Sequence, residues 1–510
     1  MVWPRANPIT AGRRNACTIT RIRDRLLLGS PAVGSGKHAD AGRKRPRGRA
    51  LAIFENVGCT VCGCVCDDLR VTVEAGRIVR VDGACQLAEP WLLGQDTRQP
   101  AIAEIEGQPA SLEAAVAKAA EILRKASSPL IYGMSRSSTE GQRAAISLAE
   151  SIGATIDTNA SLCHATSVMA IQVVGESTCT LGEVKNRADL VIFWGSNPVE
   201  SHPRHFERYS VLPRGRFVPA GRADRTVIVA DVKRTASTEA ADAFLPVKPG
   251  KDFEALTTLR CLLRGVPVAA NAETGAPLHL LEELAARMKS CRYGIVFFGL
   301  GLSMTSAAQH NVEALLLLVR DLNAHTRFSA RRMRVPGDVT GADTVLTWQT
   351  GYPFSVNFSR GYPRYNPGEF SAQELLERGD VDACLFVGSE GVKRFSSSAK
   401  TRLARIPTIA LDHPTVDSYF PPTVRFTTAV YGVHRPGTAY RMDGVPIPLH
   451  ACLPSGYPSD DEVLRAIPEE CGTRSGERGA DQDAERPPAG SHADHGNKDP
   501  RPSTLAFCRT

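Results

Sequence analysis

The chain has 510 residues, of which 42% are apolar, and its formal net charge at pH 7 is +7. A chain of this length can bury more than one hydrophobic core, so we expect two or three domains. The positive charge comes from residues 1–50, which hold twelve Lys or Arg against Asp24 and Asp40, and the rest of the chain is slightly acidic. Because that remainder lacks a basic stripe, we expect no nucleic-acid partner.

The two ends of the chain differ in composition from the part between them. Residues 1–50 predict a disordered basic extension, or a segment upstream of the true start, and residues 469–510 predict a disordered polar tail. No run of about 18 apolar residues occurs, so we predict no membrane span. The twin arginine Arg13-Arg14 is followed by neither an apolar segment nor a cleavage site, and a cytoplasmic location is therefore expected.

Five cysteines crowd into a short segment after the N-terminal extension. Cys59, Cys62, Cys66 and Cys85 have the spacing C-x2-C-x3-C-x18-C, and Cys64 lies within it. Four thiolates can hold one iron–sulfur cluster when a tight loop collects three of them and a later turn supplies the fourth. Zinc also binds four cysteines and Cys64 offers other ligand sets, so zinc and a purely structural role remain alternatives.

The segment between the third and fourth ligand cysteines predicts a β-hairpin. Apolar and polar residues alternate on both sides of Ala75-Gly76, which is typical of a turn. A hairpin here would return Cys85 to the loop of the other cysteines.

Short apolar runs then alternate with amphipathic patterns, which is typical of buried parallel strands joined by helices. The predicted strands are Pro129–Gly133, Asp189–Gly195, Thr226–Asp231, Tyr293–Gly299 and Asp382–Gly388. The predicted helices are one that begins after Ser111, and Thr139–Ile152, Asp252–Leu263, Thr305–Asn323 and Ser371–Leu376.

Several of these strands end in glycine or aspartate. In open α/β sheets, ligands bind in the crevice beyond the carboxyl ends of the strands. We therefore expect Gly195, Asp231, Gly299 and Gly388 to face one ligand pocket.

Two further features are ambiguous from the residues alone. The pair Cys163-His164 is more typical of a buried cysteine beside an ordinary histidine than of a catalytic site. Likewise Arg334 follows Arg331 and Arg332, and such a basic run is by itself typical of a solvent-exposed surface.

The motifs around Cys163 nevertheless resemble the molybdopterin oxidoreductases, and most closely the B subunits of formylmethanofuran dehydrogenase. The resemblance covers roughly residues 52–450. The segments that carry it are Ser161-Leu-Cys163-His164, Gly195-Ser-Asn197-Pro198-Val-Glu-Ser-His202, Asp231-Val-Lys-Arg234, Val247-Lys-Pro-Gly250-Lys-Asp252, Trp348-Gln-Thr-Gly-Tyr-Pro353 and Arg360-Gly-Tyr-Pro-Arg-Tyr-Asn-Pro-Gly-Glu369.

This resemblance implies a multi-domain α/β fold with parallel sheets flanked by helices. It implies a small iron–sulfur domain over residues 51–105, pterin-cofactor-binding domains over 106–425 and a β-rich segment over 426–468. The implied cofactors are a [4Fe-4S] cluster on Cys59, Cys62, Cys66 and Cys85, and a tungsten or molybdenum bis(pterin guanine dinucleotide) centre.

The resemblance also implies roles for single residues. Cys163 would be the protein thiolate on the tungsten or molybdenum, with His164 as its proton-handling neighbour. Arg334 falls where the family places its substrate-binding arginine, although Val335 and Pro336 depart from the glycine and polar residue of the family pattern. The residues implied to bind the pterin nucleotides are Gly195, Asn197, Pro198, His202, Asp231, Arg234, Gly250, Asp252 and Gly299.

The implied function is the interconversion of carbon dioxide and formate within a multisubunit enzyme. The implied partners are an amidohydrolase-like subunit that condenses formate with methanofuran and an iron–sulfur protein that carries electrons. The alternative is a metal-free scaffold subunit of a formyltransferase/hydrolase complex.

Overall fold

The computed structural model describes residues 51–305 and 308–471. The expected extension over residues 1–50 and the expected tail from residue 472 lie outside the described residues. The strands are β1 Leu51–Val57, β2 Leu69–Glu74, β3 Arg77–Asp82, β4 Ala103–Ile105, β5 Gln108–Ala110, β6 Pro129–Gly133, β7 Thr155–Thr158, β8 Leu190–Trp194, β9 Thr226–Asp231, β10 Ala243–Pro246, β11 Tyr293–Phe298, β12 Arg327–Arg332, β13 Val356–Asn357, β14 Arg364–Tyr365, β15 Ala383–Val387, β16 Thr408–Asp412, β17 Val424–Thr427, β18 Gly437–Tyr440 and β19 Pro446–Leu449.

The helices follow the predicted pattern closely. Ser111 caps the helix after it by accepting a hydrogen bond from the amide of Ala114. The α-helices are α1 Ala88–Leu93, α2 Leu112–Lys125, α3 Thr139–Ile152, α4 Ala165–Val174, α5 Leu181–Arg187, α6 Pro198–Ser201, α7 Ala236–Glu239, α8 Asp252–Leu263, α9 Leu278–Ser290, α10 Leu300–Ser303, α11 Ala308–Leu322, α12 Val339–Thr350, α13 Ala372–Arg378, α14 Ser397–Leu403 and α15 Asp460–Cys471. Short 3-10 helices lie at Gly221–Asp224 and Ser389–Arg394, and a π-helix at Phe206–Ser210.

A small antiparallel sheet of order β1-β2-β3 carries the cysteine segment. Strands β2 and β3 form the predicted hairpin, and Ala75 and Gly76 at its turn have φ angles of 51° and 77°. A glycine fits such a left-handed turn without the steric penalty of a side chain.

A five-stranded sheet of order β10-β9-β8-β11-β12 is parallel throughout. One of its faces packs against the cysteine segment, since Phe193 of β8 and Phe297 of β11 belong to the same apolar core as Cys62 and Cys66. The other face packs on α8, α9 and α11 through Leu256, Leu284 and Leu315. The sheet is thus buried on both faces, as a continuous apolar run in each strand predicts.

A nine-stranded sheet has the order β14-β13-β7-β6-β15-β16-β17-β4-β5. Its centre, from β7 to β17, is parallel, and its margins pair antiparallel. The prediction of parallel sheets flanked by helices is therefore confirmed for the five-stranded sheet and for the centre of this mixed one.

Strand pairing shifts two of the expected domain boundaries. Strand β4, placed by sequence at the end of the iron–sulfur domain, pairs with β17 of the nine-stranded sheet. The segment expected to be β-rich contains only the hairpin β18-β19 as a sheet of its own and then ends in helix α15, which also includes Glu469. Neither boundary had a local sequence signal, because pairing and packing between distant parts of the chain decide both.

Within residues 51–305 and 308–471, no helix has the length and apolar content needed to cross a membrane.

Candidate functional site

The five clustered cysteines line one small cavity, together with the side chain of Arg204. Cys59, Cys62, Cys64 and Cys66 are buried and Cys85 is half-buried. The hairpin β2-β3 brings Cys85 back to the loop, as the sequence predicts.

The thiols of this cavity affect one another. Burial raises the pKa of Cys59 well above its ordinary value and that of Cys66 to about 11. The pKa of Cys62 is lowered, mainly because the Cys64 thiol donates a hydrogen bond to it. Among the described residues, no group of three or more Cys, His, Asp or Glu converges on a single metal ion. The five cysteines line a small cavity instead.

Two arginines hold the cysteine segment from outside. Arg204 donates to both oxygens of Asp68 at 2.6 and 2.9 Å, and Arg208 donates to Asp67 at 2.8 Å. Both cations also act on the Cys66 thiol and lower its pKa against the larger effect of burial. Positive charge next to this cavity would stabilise thiolates.

The main-chain oxygen of Arg334 joins the cysteine loop to the second predicted site. It accepts hydrogen bonds from the amide of Gly63 at 3.1 Å and from Nε2 of His202 at 2.9 Å. A Cβ atom on Gly63 would lie 2.6 Å from this oxygen, so only glycine permits the approach. The loop after β12 and the loop between Cys62 and Cys64 are therefore in direct contact.

Cys163 lies in the turn between β7 and α4, and His164 is the residue before the first turn of α4. Both side chains are buried. Burial alone would raise the pKa of the Cys163 thiol, but contacts with His164 and Arg394 outweigh it, and its pKa lies below the ordinary value. A thiol activated in this way has the character of a metal ligand or nucleophile rather than of an inert core cysteine.

Asp343 connects the predicted catalytic residues, and sequence reasoning missed it. Its Oδ2 lies 2.7 Å from Nε2 of His164 and 3.1 Å from Nη1 of Arg334. Burial opposes ionisation of this carboxyl, but the charges of His164 and Arg334 outweigh it, and the pKa of Asp343 is lowered. Its position in the first half of α12 shows no local signal, because His164 is 179 positions away in the chain.

Arg334 is buried, and so is Arg331 close to it in the chain. The interpretation of this basic run as a solvent-exposed surface is therefore wrong. Burial and the nearby charge of Arg332 lower the pKa of Arg334 to about 10. Its Nε is buried and has no hydrogen-bond partner among the described residues.

Three glycines contact one another at the carboxyl edge of the five-stranded sheet. Gly195 follows β8 with a φ of 57°, and a Cβ there would lie 2.7 Å from the amide nitrogen of Leu302. A Cβ on Gly299 would meet Gly195 O at 2.7 Å, and one on Gly301 would meet Gly195 Cα at 2.8 Å. The hydroxyl of Ser196 is buried beside them without a partner among the described residues. The amides of the three glycines donate to the main-chain oxygens of Ala230, Trp194 and Gly195, so the glycines allow the loops after β8 and β11 to pack closely.

The neighbouring loops hold the other residues predicted here. The Asn197 side chain accepts hydrogen bonds from Ser237, and Pro198 begins α6. Asp231 ends β9. The one hydrogen bond between its side chain and the described residues comes from the amide of Val232. Arg234 is exposed and lies over the ring of Phe244 at 4.9 Å.

Two of the residues expected to bind the nucleotides, Gly250 and Asp252, have other places in the structure. The carboxyl of Asp252 is buried and accepts a hydrogen bond from the indole of Trp194 at 2.8 Å. Gly250 lines a separate groove between α8 and α11 with Phe253 and His310. Asp252 thus anchors the strand end that precedes Gly195.

Gly388 lies elsewhere than expected, because it ends a strand of the nine-stranded sheet. It lines a pocket with Arg136, Asp412 and His413, and this pocket includes none of Gly195, Asp231 and Gly299. The amide of Ser389 donates to Asp412 at 2.8 Å. Asp412 ends β16 as Asp231 ends β9. An aspartate at the end of each strand is the sequence signal for a second sheet edge that could bind a ligand.

No family model matches the chain. The chain is 41% identical over 426 residues to the B subunit of the tungsten-containing formylmethanofuran dehydrogenase 2 of Methanocaldococcus jannaschii, and the match covers 82% of this chain and 98% of that protein. It is 38% identical, with the same coverage, to the protein of that name from Methanococcus maripaludis. In structure it is similar to the formyltransferase/hydrolase complex FhcABCD of Methylorubrum extorquens with methylofuran, with a TM-score of 0.61 and 24% identity over 72% of this chain and 98% of that chain. This last likeness shows a shared fold.

Proposed function

The chain belongs to the family of formylmethanofuran dehydrogenase B subunits, which are components of an oxidoreductase complex, and on this premise we propose that it interconverts carbon dioxide and formate. The reaction would occur at a tungsten or molybdenum centre held by two pterin guanine dinucleotides. The observation that carries the proposal is the buried group of Cys163, His164, Asp343 and Arg334, whose arginine contacts the cysteine loop through its main-chain oxygen.

The residues present suit such a centre. When bound, it supplies the exchange of two electrons that the interconversion of carbon dioxide and formate requires. Cys163 offers a buried thiol of lowered pKa, which is a soft ligand suited to this metal. The buried hydroxyls of Ser167 and Ser196 have no partner among the described residues, so a bound group would satisfy polar atoms that the protein leaves unpaired.

The chain's own residues would handle the substrate and its proton. The unpaired Nε–H of Arg334 can donate to a formate oxygen, and burial of the guanidinium strengthens that attraction. Since Nε2 of His164 is bound to Asp343, its Nδ1 is the atom that would hold or release the proton. Arg334, His164 and Asp343 are all buried, which keeps water away from Nδ1 of His164.

Two sheet edges support the expectation of two nucleotides. Asp231 at the end of β9 and Asp412 at the end of β16 each follow a parallel strand and stand next to a glycine-containing loop. The Asp231 carboxylate can accept hydrogen bonds from a guanine or a ribose hydroxyl, whereas the buried Asp412 carboxylate already accepts from Ser389 and Ser418. We assign one dinucleotide to each edge, with Gly195, Asn197 and Arg234 on the first.

The cavity of Cys59, Cys62, Cys66 and Cys85 would hold a [4Fe-4S] cluster that passes electrons to and from this centre. Electrons would reach it from an iron–sulfur carrier protein, and an amidohydrolase-like subunit would join formate to the amine of methanofuran. Clustered free thiols are stable in reducing compartments, which agrees with the expected cytoplasmic location.

Elemental analysis of the anaerobically purified native complex tests this function. About four irons and one tungsten or molybdenum per copy of the chain are expected. Cys163→Ala should abolish formate oxidation, while Cys384→Ala, which removes a buried thiol from the core of the nine-stranded sheet, should retain it.

The same elemental analysis distinguishes this function from the alternative of a scaffold subunit. An intact complex that transfers formyl groups but contains neither iron nor tungsten nor molybdenum would overturn the redox function. The chain would then be a scaffold that keeps the fold shared with FhcABCD.

A further inference from the structure

One carboxylate contacts both side chains to which the proposed chemistry is assigned. Asp343 Oδ2 lies 2.7 Å from Nε2 of His164 and 3.1 Å from Nη1 of Arg334. Its other oxygen, Oδ1, accepts a hydrogen bond from the hydroxyl of Thr158 at 3.0 Å. Asp343 therefore joins the end of β7, the start of α4 and the loop after β12.

Arg334 and Asp343 form a buried ion pair, with 3.1 Å between Nη1 and Oδ2. Arg334 is 5% exposed and Asp343 is 6% exposed, so water hydrates neither charge and each depends on a partner in the protein. Arg331 and Arg332 at the end of β12 repel the guanidinium of Arg334, whereas Glu176 attracts it alongside Asp343. An isolated cation there would be driven out of the interior, and the carboxylate of Asp343 is what holds it in.

The contact with Asp343 also fixes the imidazole. A histidine ring nitrogen that is bound to a carboxylate determines which nitrogen remains for other partners. With Nε2 bound to Asp343, Nδ1 of the ring is buried and has no hydrogen-bond partner among the described residues. Asp343 itself is linked to Thr158, His164 and Arg334 and has no role that requires contact with substrate.

We propose that Asp343 is the positioning residue of this site, which sets the orientation of the His164 ring and of the Arg334 guanidinium at the same time. This inference rests on the proposed function, because it assigns the purpose of the orientation to formate chemistry. It goes beyond that function by predicting that proton handling and anion binding fail together when one carboxylate is lost.

The test is Asp343→Asn in the complete complex. The amide keeps the size of the side chain but removes the charge that holds Arg334. We expect unchanged iron and tungsten or molybdenum content, a kcat for formate oxidation lowered at least tenfold, and a KM for formate raised at least fivefold. Asp343→Glu should recover part of both values, because it restores the charge with one extra methylene.

A matched control removes a carboxylate that bridges two arginines far from the site. Asp321 on α11 accepts from Arg260 and Arg264 at 2.9 Å each, and Asp321→Asn should leave kcat and KM unchanged. A crystal structure of the Asp343→Asn complex provides a readout that does not depend on turnover. In it the His164 ring should be rotated and the Arg334 guanidinium displaced.

The outcomes separate this inference from the proposed function. If the wild-type complex oxidises formate and Asp343→Asn has the same kcat, KM and side-chain orientations, Asp343 is not a positioning residue and the proposed function stands. If the wild type contains no metal and does not oxidise formate, the proposed function fails. The crystal structure then still decides the inference, since an undisturbed His164 and Arg334 would overturn it and a displaced pair would support it.

Discussion

The imidazole of His202 donates from Nε2 to the main-chain oxygen of Arg334 at 2.9 Å, and its Nδ1 lies 2.8 Å from the hydroxyl oxygen of Ser201. The neutral ring with its proton on Nε2 makes the hydrogen bond to Arg334. Complete burial lowers the pKa of His202 to about 4, so the ring is neutral at pH 7. His202 thus supports the loop that carries the predicted substrate arginine, from a segment that the sequence associates with cofactor binding.

Replacement of His202 by leucine should weaken formate binding. Leucine has a similar size but no donor, so the Arg334 oxygen keeps only the Gly63 amide as a partner. Loss of one net hydrogen bond is worth about 1 kcal/mol, which corresponds to a roughly fivefold rise in the KM for formate. Steady-state kinetics of the purified complex measures it.

His202→Gln is the matched control for this change, because the glutamine amide places a donor close to the position of Nε2. It should restore a KM near that of the wild type. Equal effects of leucine and glutamine would show that the hydrogen bond to Arg334 does not support the loop.

The ligand set proposed for the iron–sulfur cluster predicts how the iron content depends on single thiols. Alanine at Cys59, Cys62, Cys66 or Cys85 should reduce the iron content from about four per chain to less than one, because each would remove one cluster ligand. Cys64→Ala should retain about four irons, because Cys64 lies outside the proposed ligand set. Iron analysis and the visible absorption of the anaerobic protein measure the difference.

Cys384→Ala is the control for loss of a buried thiol outside the cavity. A cluster that survives Cys85→Ala but is lost with Cys64→Ala would contradict the ligand set.

The local elements were predictable because their signals are local. The strand Pro129–Gly133 and the helix Thr139–Ile152 have the predicted bounds, since apolar runs, Ser138 as N-cap and Gly153 as C-cap mark them in the sequence. The hairpin turn at Ala75-Gly76 and the grouping of the five cysteines follow from the same kind of pattern.

The contacts that organise the site were not predictable in this way. Asp343 meets His164 across 179 positions, and no periodicity encodes that distance. Asp252 was predicted to bind cofactor from its motif, but the buried indole of Trp194 occupies its carboxyl. Both cases depend on tertiary packing, which decides the partner of a polar side chain after the elements have formed.

Stability should fall at mildly acidic pH partly because of His202. Its pKa is about 4 in the folded protein against an ordinary value of 6.5, because burial disfavours the charged ring. A depressed pKa contributes stability that is complete above pH 6.5 and is lost as the pH falls toward 4. From these two values the loss between pH 8 and pH 5 is about 2 kcal/mol.

His202→Gln isolates this contribution, because glutamine does not titrate. Asp157 and Asp460 act in the opposite direction, since burial raises the pKa of each to about 6. They are present in both proteins and cancel in the comparison. Urea unfolding should therefore show the stability of the variant relative to wild type rising by about 2 kcal/mol from pH 8 to pH 5. A constant difference across this range would show that His202 is not buried as a neutral ring.

The charge of Arg208 should tune the proposed cluster. Its guanidinium donates to Asp67 at 2.8 Å and is in contact with the Cys66 thiol. A cation near an iron–sulfur cluster favours the reduced form, which carries one more negative charge. Arg208→Gln should therefore lower the midpoint potential by roughly 40 mV, which is about 1 kcal/mol for one electron. A potentiometric titration followed by electron paramagnetic resonance measures the shift.

Arg222→Gln, which removes an arginine paired with Asp242 on the surface, should leave the potential unchanged. An equal shift in both variants would mean that overall charge, rather than the contact with Cys66, sets the potential.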